Sequence, residues 1–479
     1  MASKVKKNYL YNLFYQVLLV ILPVITTPYV SRVLGSEKIG IHSFTFSIVM
    51  YFTLIGSLGV AMYGRREIAR YQDDVKKRTE AFWQINIIKW ITLSISLFIF
   101  YFTCVKNEQY GGIYAILTLE ILYSFFDISW FFQGIENFKT ITIRNTIIKI
   151  LSVIAIFSFV HTTDDLWIYI LIHVLSDLVG GLSLWVILPK YLSKVSPVVK
   201  TAKKHIGPIL LMFVPQIAIQ VYTILDKSML GFLVPDISET GIYEQSQNII
   251  KIALALVTSL GIVMAPRITS LSMKGEKDEI RNELDKSFHL VWGLALPICF
   301  GIIALAPNLV PWFLGDDFLR SIPVMQIGSL LLIAIGLSTI TGTQYLVSIG
   351  EENKFTNSVI AGALTNVAGN FILIPFLGAI GAIISSIMAE TMVFLVQFYY
   401  SRNAVDLKLL FKHFSKCFIA SIIMLLILYP ISINISANII STVGLIALGA
   451  VIYGISLIIM KESWARLYLD KAKQIIKKK

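Results

Sequence analysis

The feature that most constrains this chain is a series of apolar segments, each about 20 residues long, that recur along its whole length. A helix of that length rises by roughly 30 Å, which is the thickness of the hydrocarbon core of a membrane. The chain is 56% hydrophobic and only 15% charged. A soluble protein has too little interior to bury that much apolar surface. The sequence therefore predicts an all-α polytopic membrane protein.

The apolar segments predict about fourteen transmembrane helices joined by short loops, with no sizeable soluble domain. We place these spans at residues 9–30, 40–63, 81–104, 111–132, 141–160, 166–188, 207–233, 242–266, 287–307, 322–349, 357–377, 379–400, 416–433 and 439–460.

The lysine and arginine residues indicate how these spans are oriented. With the N-terminus inside, 33 of the 41 basic residues fall on the inner side of the membrane and four on the outer side. This asymmetry follows the positive-inside rule and predicts that both termini are cytoplasmic. The formal net charge of +12 is thus a topology signal, and no nucleic-acid partner is expected. The first apolar segment shows no cleavage site and is expected to be a retained span.

Short sequence matches at similar offsets indicate that the chain is duplicated. The stretch "SLGVAMYGR" at 57–65 recurs as "SLGIVMAPR" at 259–267, and "GIENFKT" at 134–140 recurs as "GEENKFT" at 350–356. The matches keep the same order along the chain, which favours an internal repeat over chance.

The repeat predicts two six-helix lobes related by a pseudo-two-fold axis along the membrane normal. Residues 1–206 form the N-terminal lobe with spans 1–6, and residues 207–400 form the C-terminal lobe with spans 7–12. Residues 401–479 add spans 13 and 14 and a basic cytoplasmic tail. Duplicated bundles of this kind are typical of transporters that work by alternating access.

The opening of the chain, "ILPVITTPYVSRVLGSEKIGIHSF" followed by "YFTLIGSLGVAMYGRREIARY", strongly resembles bacterial polysaccharide repeat-unit flippases of the Wzx type. These flippases belong to the multidrug/oligosaccharidyl-lipid/polysaccharide exporter superfamily, and "YTILDKSMLG" and "GIYEQSQNI" extend the resemblance into the second half. The resemblance implies a cationic central cavity and transport of undecaprenyl-diphosphate-linked oligosaccharides to the outer leaflet, driven by an ion gradient. It also implies a bacterial cytoplasmic membrane and a role in capsule or surface polysaccharide synthesis. The second copy of "YGRRE" reads "APRIT", so any role of Glu67 is confined to one lobe.

Two polar stripes on neighbouring spans are candidates for the substrate cavity. Span 7 carries residues at i, i+4, i+7 and i+11, namely Gln216, Gln220, Thr223 and Lys227. Span 8 carries residues at i, i+3, i+4 and i+7, namely Glu244, Gln247, Asn248 and Lys251. Arg32, near the outer end of span 1, is a further candidate because a guanidinium binds phosphate groups well. The alternatives are interhelical hydrogen bonding for the stripes, membrane anchoring for Arg32 and a structural ion pair for Asp226, the acid beside Lys227.

Acids within the spans are candidates for ion coupling. Asp177 and Glu390 lie in the middle of spans 6 and 12, and His173 shares a helix face with Asp177. Glu120 and Asp127 are separated by two turns on span 4. A carboxylate held away from water can exchange a proton as its solvation changes, so each acid can serve an ion gradient of H⁺ or Na⁺. The alternative is a carboxylate that only accepts hydrogen bonds or pairs with Lys149 or Lys89.

The remaining patterns narrow the function without deciding it. We expect no cofactor and no metal site, and the three cysteines are expected to be packing residues. The leading hypothesis is a lipid-linked oligosaccharide flippase that contacts membrane lipids, and contacts with other polysaccharide-assembly proteins are left open. An ion-coupled multidrug or cation antiporter of the same superfamily is the nearest alternative. A membrane polysaccharide polymerase or ligase is the alternative from another class, although no large outer loop is present to hold catalytic groups.

Overall fold

The structure is a computed structural model that describes residues 2–195 and 199–462, and within these ranges it contains helices but no strand. Eighteen α-helices follow one another along the described chain. They are α1 (Ala2–Ser57), α2 (Val60–Arg70), α3 (Val75–Phe100), α4 (Gly111–Phe126), α5 (Ser129–Gly134), α6 (Phe138–Phe159), α7 (Leu166–Ile187), α8 (Val199–Ala202), α9 (Ile206–Leu233), α10 (Ser238–Lys274), α11 (Lys277–Phe313), α12 (Ser321–Gly328), α13 (Leu331–Ser338), α14 (Glu352–Leu377), α15 (Ala379–Ser401), α16 (Leu407–Phe411), α17 (Phe414–Asn434) and α18 (Ile439–Ile459).

The number of helices that can cross a membrane agrees with the sequence-based prediction. Twelve helical segments of the described chain are long and apolar enough to cross. One of them, Ile21–Arg70, has 50 residues and contains two crossings, while α9 adds a further apolar helix of 28 residues. The predicted all-α fold with about fourteen spans is therefore confirmed. Helices are the expected solution, because lipid cannot satisfy the hydrogen bonds of an unfolded backbone.

Gly35 separates the first two crossings inside α1. Its backbone has φ 74° and ψ 173°, and helix continues on both sides of it. A side chain at this φ is unfavourable, so the position requires glycine. The sequence predicted a longer non-helical connection between residues 30 and 40, and the structure replaces most of it with helix.

Two predicted spans are discontinuous. The fourth, predicted as one helix over 111–132, is divided into α4 and α5 around Asp127 and Ile128. The tenth, predicted over 322–349, is divided into α12, α13 and a π-helical segment at Thr339–Val347. Apolar composition alone predicted the length of these spans correctly but not their breaks.

The chain divides into two compact units. The first comprises the chain through Phe232 together with Asp236–Gly241, and the second comprises Leu233–Pro235 and the chain from Ile242 onward. By packing, α9 thus belongs to the first unit. The predicted lobe boundary after residue 206 is a boundary of the sequence repeat, and it stays a prediction.

Each unit has its own apolar core. In the first unit, Phe82, Trp130 and Phe131 are fully buried among α2, α3 and α5. In the second unit, Phe288 and Trp292 of α11 pack with the helices that follow it. Large apolar side chains also cover the outer surface, where Phe376 is 85% exposed. An apolar exterior of this kind is compatible with lipid and not with water.

A buried hydrogen-bond chain ties the segment before α9 to α2 and α3 within the first unit. His205 Nδ1 shares a hydrogen bond of 2.6 Å with the Tyr63 hydroxyl, and His205 Nε2 lies 2.9 Å from Gln84 Oε1. Gln84 in turn donates to Thr201 at 2.7 Å. Burial, with a smaller contribution from Lys204, lowers the pKa of His205 to about 4. The ring is therefore neutral at pH 7 and serves as a structural bridge.

Candidate functional site

Helices α4, α6 and α7 of the first unit bring together several charged side chains at membrane depth. We call this group, which comprises Glu120, Asp127, Lys149, His173 and Asp177, the charged cluster. Four of its members are the acids and the histidine that the sequence placed on spans 4 and 6 of the N-terminal lobe as coupling candidates. Charged residues inside spans are costly, and their convergence marks this region as a candidate functional site.

Asp177 is the centre of the charged cluster. Lys149 Nζ of α6 lies 3.1 Å from Asp177 Oδ1, and His173 Nδ1 lies 3.7 Å from Asp177 Oδ2. His173 and Asp177 are one turn apart on α7, as their spacing predicted. The side chains of Asp177 and Lys149 keep 23% and 28% of their surface exposed, so the ion pair is only partly buried. The sequence considered Lys149 as a partner for the acids of span 4, and the structure pairs it with Asp177 instead.

Glu120 is the most deeply buried acid of the charged cluster. It is 7% exposed, and its Oε2 has no hydrogen-bond partner among the described residues. Asp177, Lys149 and Asp127 interact with it electrostatically. A buried carboxylate beside a second carboxylate cannot hold its charge cheaply, because the like charges repel and little water screens them. Glu120 is therefore suited to changing its charge when its surroundings change.

The fourth span breaks beside this cluster. Asp127 leaves the helix with φ −70° and ψ 106°, so it does not continue the face of Glu120 as the spacing of seven residues predicted. The break removes the helical partners of three successive backbone carbonyls. Trp90 Nε1 donates to Phe125 O at 3.0 Å, Trp185 Nε1 to Phe126 O at 2.9 Å, and Lys89 Nζ to Asp127 O at 2.6 Å.

The tryptophans that satisfy the break also pack on one another. The rings of Trp90 and Trp185 are stacked at 5.9 Å with an angle of 22°, and Trp83 contacts both at 6.2 Å. Lys89 is only 3% exposed, and its ammonium reaches the backbone of Asp127 rather than an acid side chain. The break is thus a defined structure with donors supplied by α3 and α7.

The predicted cavity residues of the first unit are only partly described. The side chains of Gln216 and Thr223 lie outside the described residues. Gln220 is exposed and Lys227 is half-buried on α9, while the neighbouring Asp226 is buried. Arg32 is exposed on α1, three residues before Gly35. Their role in binding substrate stays a prediction.

The predicted residues of the second unit lie on α10 and α15. Glu244, Gln247 and Asn248 are half-buried, and Lys251 is exposed. Gln247 Nε2 donates to the Tyr243 hydroxyl at 2.9 Å. Both residues are on α10, so this bond does not decide between cavity lining and the interhelical bonding that the sequence left open. Glu390 of α15 is buried, 8% exposed. These residues also remain candidates.

One group of described residues has donor atoms spaced for a metal ion. His289, His413 and Glu462 place their ligand atoms within 4.8 Å of one another. The two imidazole rings, however, are stacked at 3.9 Å with an angle of 4°. A metal ion lies in the plane of each imidazole that binds it, and parallel stacked rings cannot share one ion in that way. The arrangement instead forms two histidine–carboxylate pairs, His289 with Glu462 and His413 with Asp285, both at 3.1 Å.

Sequence reasoning missed three side chains near the charged cluster. Trp90 and Trp185 carry no charge and are common residues in spans, so nothing distinguished them before the break in span 4 was known. Arg144 was counted only as part of the inner topology signal. Its position inside α6, five residues before Lys149, is the signal that could have identified it.

The fold defines the class of the protein as a polytopic α-helical membrane protein. It is similar to a solved structure of the lipid II flippase MurJ in an inward closed conformation, with a TM-score of 0.78 and 15% identity, covering 94% of this chain and 98% of that chain. It is also similar to an inward-facing multidrug resistance MATE family transporter of the MOP superfamily, with a TM-score of 0.59 and 15% identity, covering 80% and 93% of the two chains.

The sequence comparisons identify the family within that class. Residues 5–272 match the model of the family described as polysaccharide biosynthesis protein. This chain belongs to that family. It is also similar to a putative O-antigen transporter of Escherichia coli K12, with 25% identity over 410 residues, which are 83% of this chain and 97% of the relative. The resemblance stated from the sequence is thereby confirmed, and neither comparison supports a polymerase or a ligase.

Proposed function

We propose that this protein is a flippase that moves undecaprenyl-diphosphate-linked oligosaccharide repeat units from the inner to the outer leaflet of the bacterial cytoplasmic membrane by alternating access. The observation that carries the proposal is the family match over residues 5–272 in a chain whose fold is that of a lipid flippase. The relative named as a putative O-antigen transporter supports the same substrate class, because the match extends over nearly its whole length. The translocated repeat units serve the synthesis of a surface polysaccharide such as a capsule.

We further propose that the charged cluster couples transport to an ion gradient. Asp177 holds Lys149 and His173 within ion-pair distance, while Glu120 lies buried beside them with one oxygen unpaired. Uptake of H⁺ or Na⁺ by these acids changes the net charge of the cluster. Such a change favours one conformation of the lobe over another, since only differential binding can shift a conformational equilibrium. Glu390 is the candidate for the same role in the second unit.

Deletion of the gene, followed by analysis of the two membrane leaflets, tests the flippase proposal. We expect lipid-linked oligosaccharide to accumulate on the inner leaflet and the surface polysaccharide to disappear. Both should be restored by the wild-type chain. Continued delivery of the glycan to the surface in the deletion strain would refute the proposal.

A multidrug or cation antiporter of the same superfamily is the second candidate, and the similarity to the MATE transporter favours it. A cavity for cationic drugs should be dominated by acids, whereas the predicted cavity carries Lys227 and Lys251. Drug sensitivity of the deletion strain discriminates the two. Sensitivity to cationic drugs with normal surface polysaccharide would support the antiporter.

The coupling proposal is tested in proteoliposomes with an imposed pH or sodium gradient. We expect Asp177→Asn and Glu390→Gln to transport substrate without responding to the gradient. Asp164→Asn is the matched control, because it removes an exposed acid just before α7. A gradient response of the Asp177 and Glu390 variants equal to that of the control would remove both acids from the coupling mechanism.

The proposed orientation, with both termini cytoplasmic, is tested by single-cysteine labelling in whole cells. The background variant lacks Cys104, Cys299 and Cys417. We expect cysteines placed in 234–241 to react with an impermeant reagent from outside and those in 267–286 to react only after permeabilisation. The reverse pattern would overturn the orientation.

A further inference from the structure

A polar cleft of about 160 Å³ lies between α4, α5, α6 and α7 in the first unit. Its lining includes Ser129, Gln133, Arg144, Asn145, Lys149 and Asp177. Such a polar lining is unusual between membrane-spanning helices, whose packed faces are mostly apolar or small. The cleft needs an explanation beyond helix packing, because every polar group in its wall must be satisfied by something.

Arg144 is the least satisfied of these side chains. Its Nε is buried and has no hydrogen-bond partner, and within residues 2–195 and 199–462 its guanidinium makes no hydrogen bond or ion pair. The backbone of α7 makes room for it at Gly180, where an added Cβ would lie 3.1 Å from the Arg144 Nη1 atom. A guanidinium remains charged in proteins, so an arginine in a span requires a counter-charge.

Two acids of the charged cluster have partners other than Arg144. Asp177 accepts a hydrogen bond from the Lys149 ammonium at 3.1 Å, and the Asp127 carboxylate accepts one from the backbone N–H of Ser129 at 3.0 Å. Glu120 is buried and makes no hydrogen bond or ion pair with Arg144. In the part of the chain that the structure describes, the side-chain amides of Gln133 and Asn145 make no hydrogen bond either. The cleft therefore offers a guanidinium and two amides as uncommitted donors.

We propose that this cleft binds a phosphate group of a lipid head group, with Arg144 as the principal contact. A guanidinium forms paired, charge-assisted hydrogen bonds with phosphate oxygens, and amide N–H groups complete the shell of such an anion. Arg144 lies six residues inside α6, or about 9 Å from its first residue, on the side that the topology predicts to be cytoplasmic. The site is thus an inner-leaflet station for an anionic head group. The statement that this head group belongs to the transported lipid rests on the proposed function.

Binding to the purified full-length protein tests this inference. Intrinsic tryptophan fluorescence is titrated with inorganic pyrophosphate, with undecaprenyl diphosphate and with vesicles of phosphatidylglycerol. We expect saturable binding of undecaprenyl diphosphate, weakened at least tenfold in Arg144→Gln. The matched control is Arg402→Gln, which removes an arginine that stacks on Tyr399 in the second unit and should bind as the wild type does.

A second variant distinguishes loss of the binding site from misfolding. Gly180→Ala keeps every charge but places a methyl group against the guanidinium, so it should weaken binding while leaving the unfolding midpoint close to that of the wild type. Competition by pyrophosphate supports recognition of the phosphates themselves, and equal binding of phosphatidylglycerol assigns the site to phospholipid head groups. Unchanged affinity of Arg144→Gln for all three probes would overturn the site. That result leaves the flippase proposal intact, whereas normal surface glycan in the deletion strain refutes the flippase and not the site.

Discussion

Replacing Trp185 with phenylalanine should destabilise the first unit by removing one donor from the break in span 4. The Trp185 indole donates to Phe126 O at 2.9 Å, and helix geometry supplies no other donor for that carbonyl. Leaving a buried carbonyl unsatisfied costs about 1–3 kcal/mol. Loss of the larger ring adds roughly 1 kcal/mol. We therefore expect Trp185→Phe to lower the free energy of unfolding by about 2–4 kcal/mol.

Trp83→Phe is the matched control for this prediction. Trp83 packs on both Trp90 and Trp185, yet among the described residues its indole N–H makes no hydrogen bond. Its substitution therefore changes a ring in the same cluster without freeing a carbonyl. The free energies are measured by SDS-induced unfolding in lipid bicelles, followed by far-ultraviolet circular dichroism. The difference between the two variants isolates the hydrogen bond.

Two further results bear on the same reasoning. The double variant Trp90→Phe with Trp185→Phe should deviate from additivity by about 0.5 kcal/mol or more, because the rings are stacked and their acceptors are adjacent. Lys89→Met should cost about 1.5–3 kcal/mol, since its bond to Asp127 O is made by an ammonium. If Trp185→Phe were no more destabilising than Trp83→Phe, the account of the break would be wrong.

Three other perturbations have defined outcomes. Because the pKa of His205 is lowered to about 4, its neutral form stabilises the fold above about pH 6.5, and stability should fall as the pH drops from 6.5 towards 4. The unfolding midpoint of His205→Gln should depend less on pH over this range. Gly35→Ala should lower the free energy of unfolding by about 1–2 kcal/mol, because its positive φ strains a residue with a side chain. Gly444→Ala, in open surroundings, is the control and should not lower it. Equal unfolding midpoints of the two variants would contradict the strain at Gly35. Neutralising Lys227 and Lys251 to glutamine should abolish outer-leaflet delivery at normal membrane abundance, and undiminished delivery would exclude both from the cavity.

The helical architecture could be predicted because it follows from composition and length. Runs of apolar residues dictate helices in lipid, and the basic residues between them indicate topology. The spacing of His173 and Asp177 also predicted their contact, because helix periodicity is local. These inferences need no knowledge of which helices are neighbours.

The charged cluster could be predicted only in part, because its contacts join distant segments. The sequence named Glu120 and Asp177 but could not pair Lys149 with Asp177, which depends on how α6 packs against α7. The break at Asp127 was invisible for the same reason. Its donors come from α3 and α7, and no pattern within residues 111–132 reveals them.

The three carbonyls at the break also constrain how the first unit can deform. Their hydrogen bonds run sideways from α4 to Lys89 and Trp90 on α3 and to Trp185 on α7. Sliding any one of these helices along another would strip acceptors of their donors inside the lipid, so the three must translate and rotate as one block. Bending is then left to backbone positions where a helix is itself weakened, such as Pro23, Pro28 and the positive-φ Gly35 of α1.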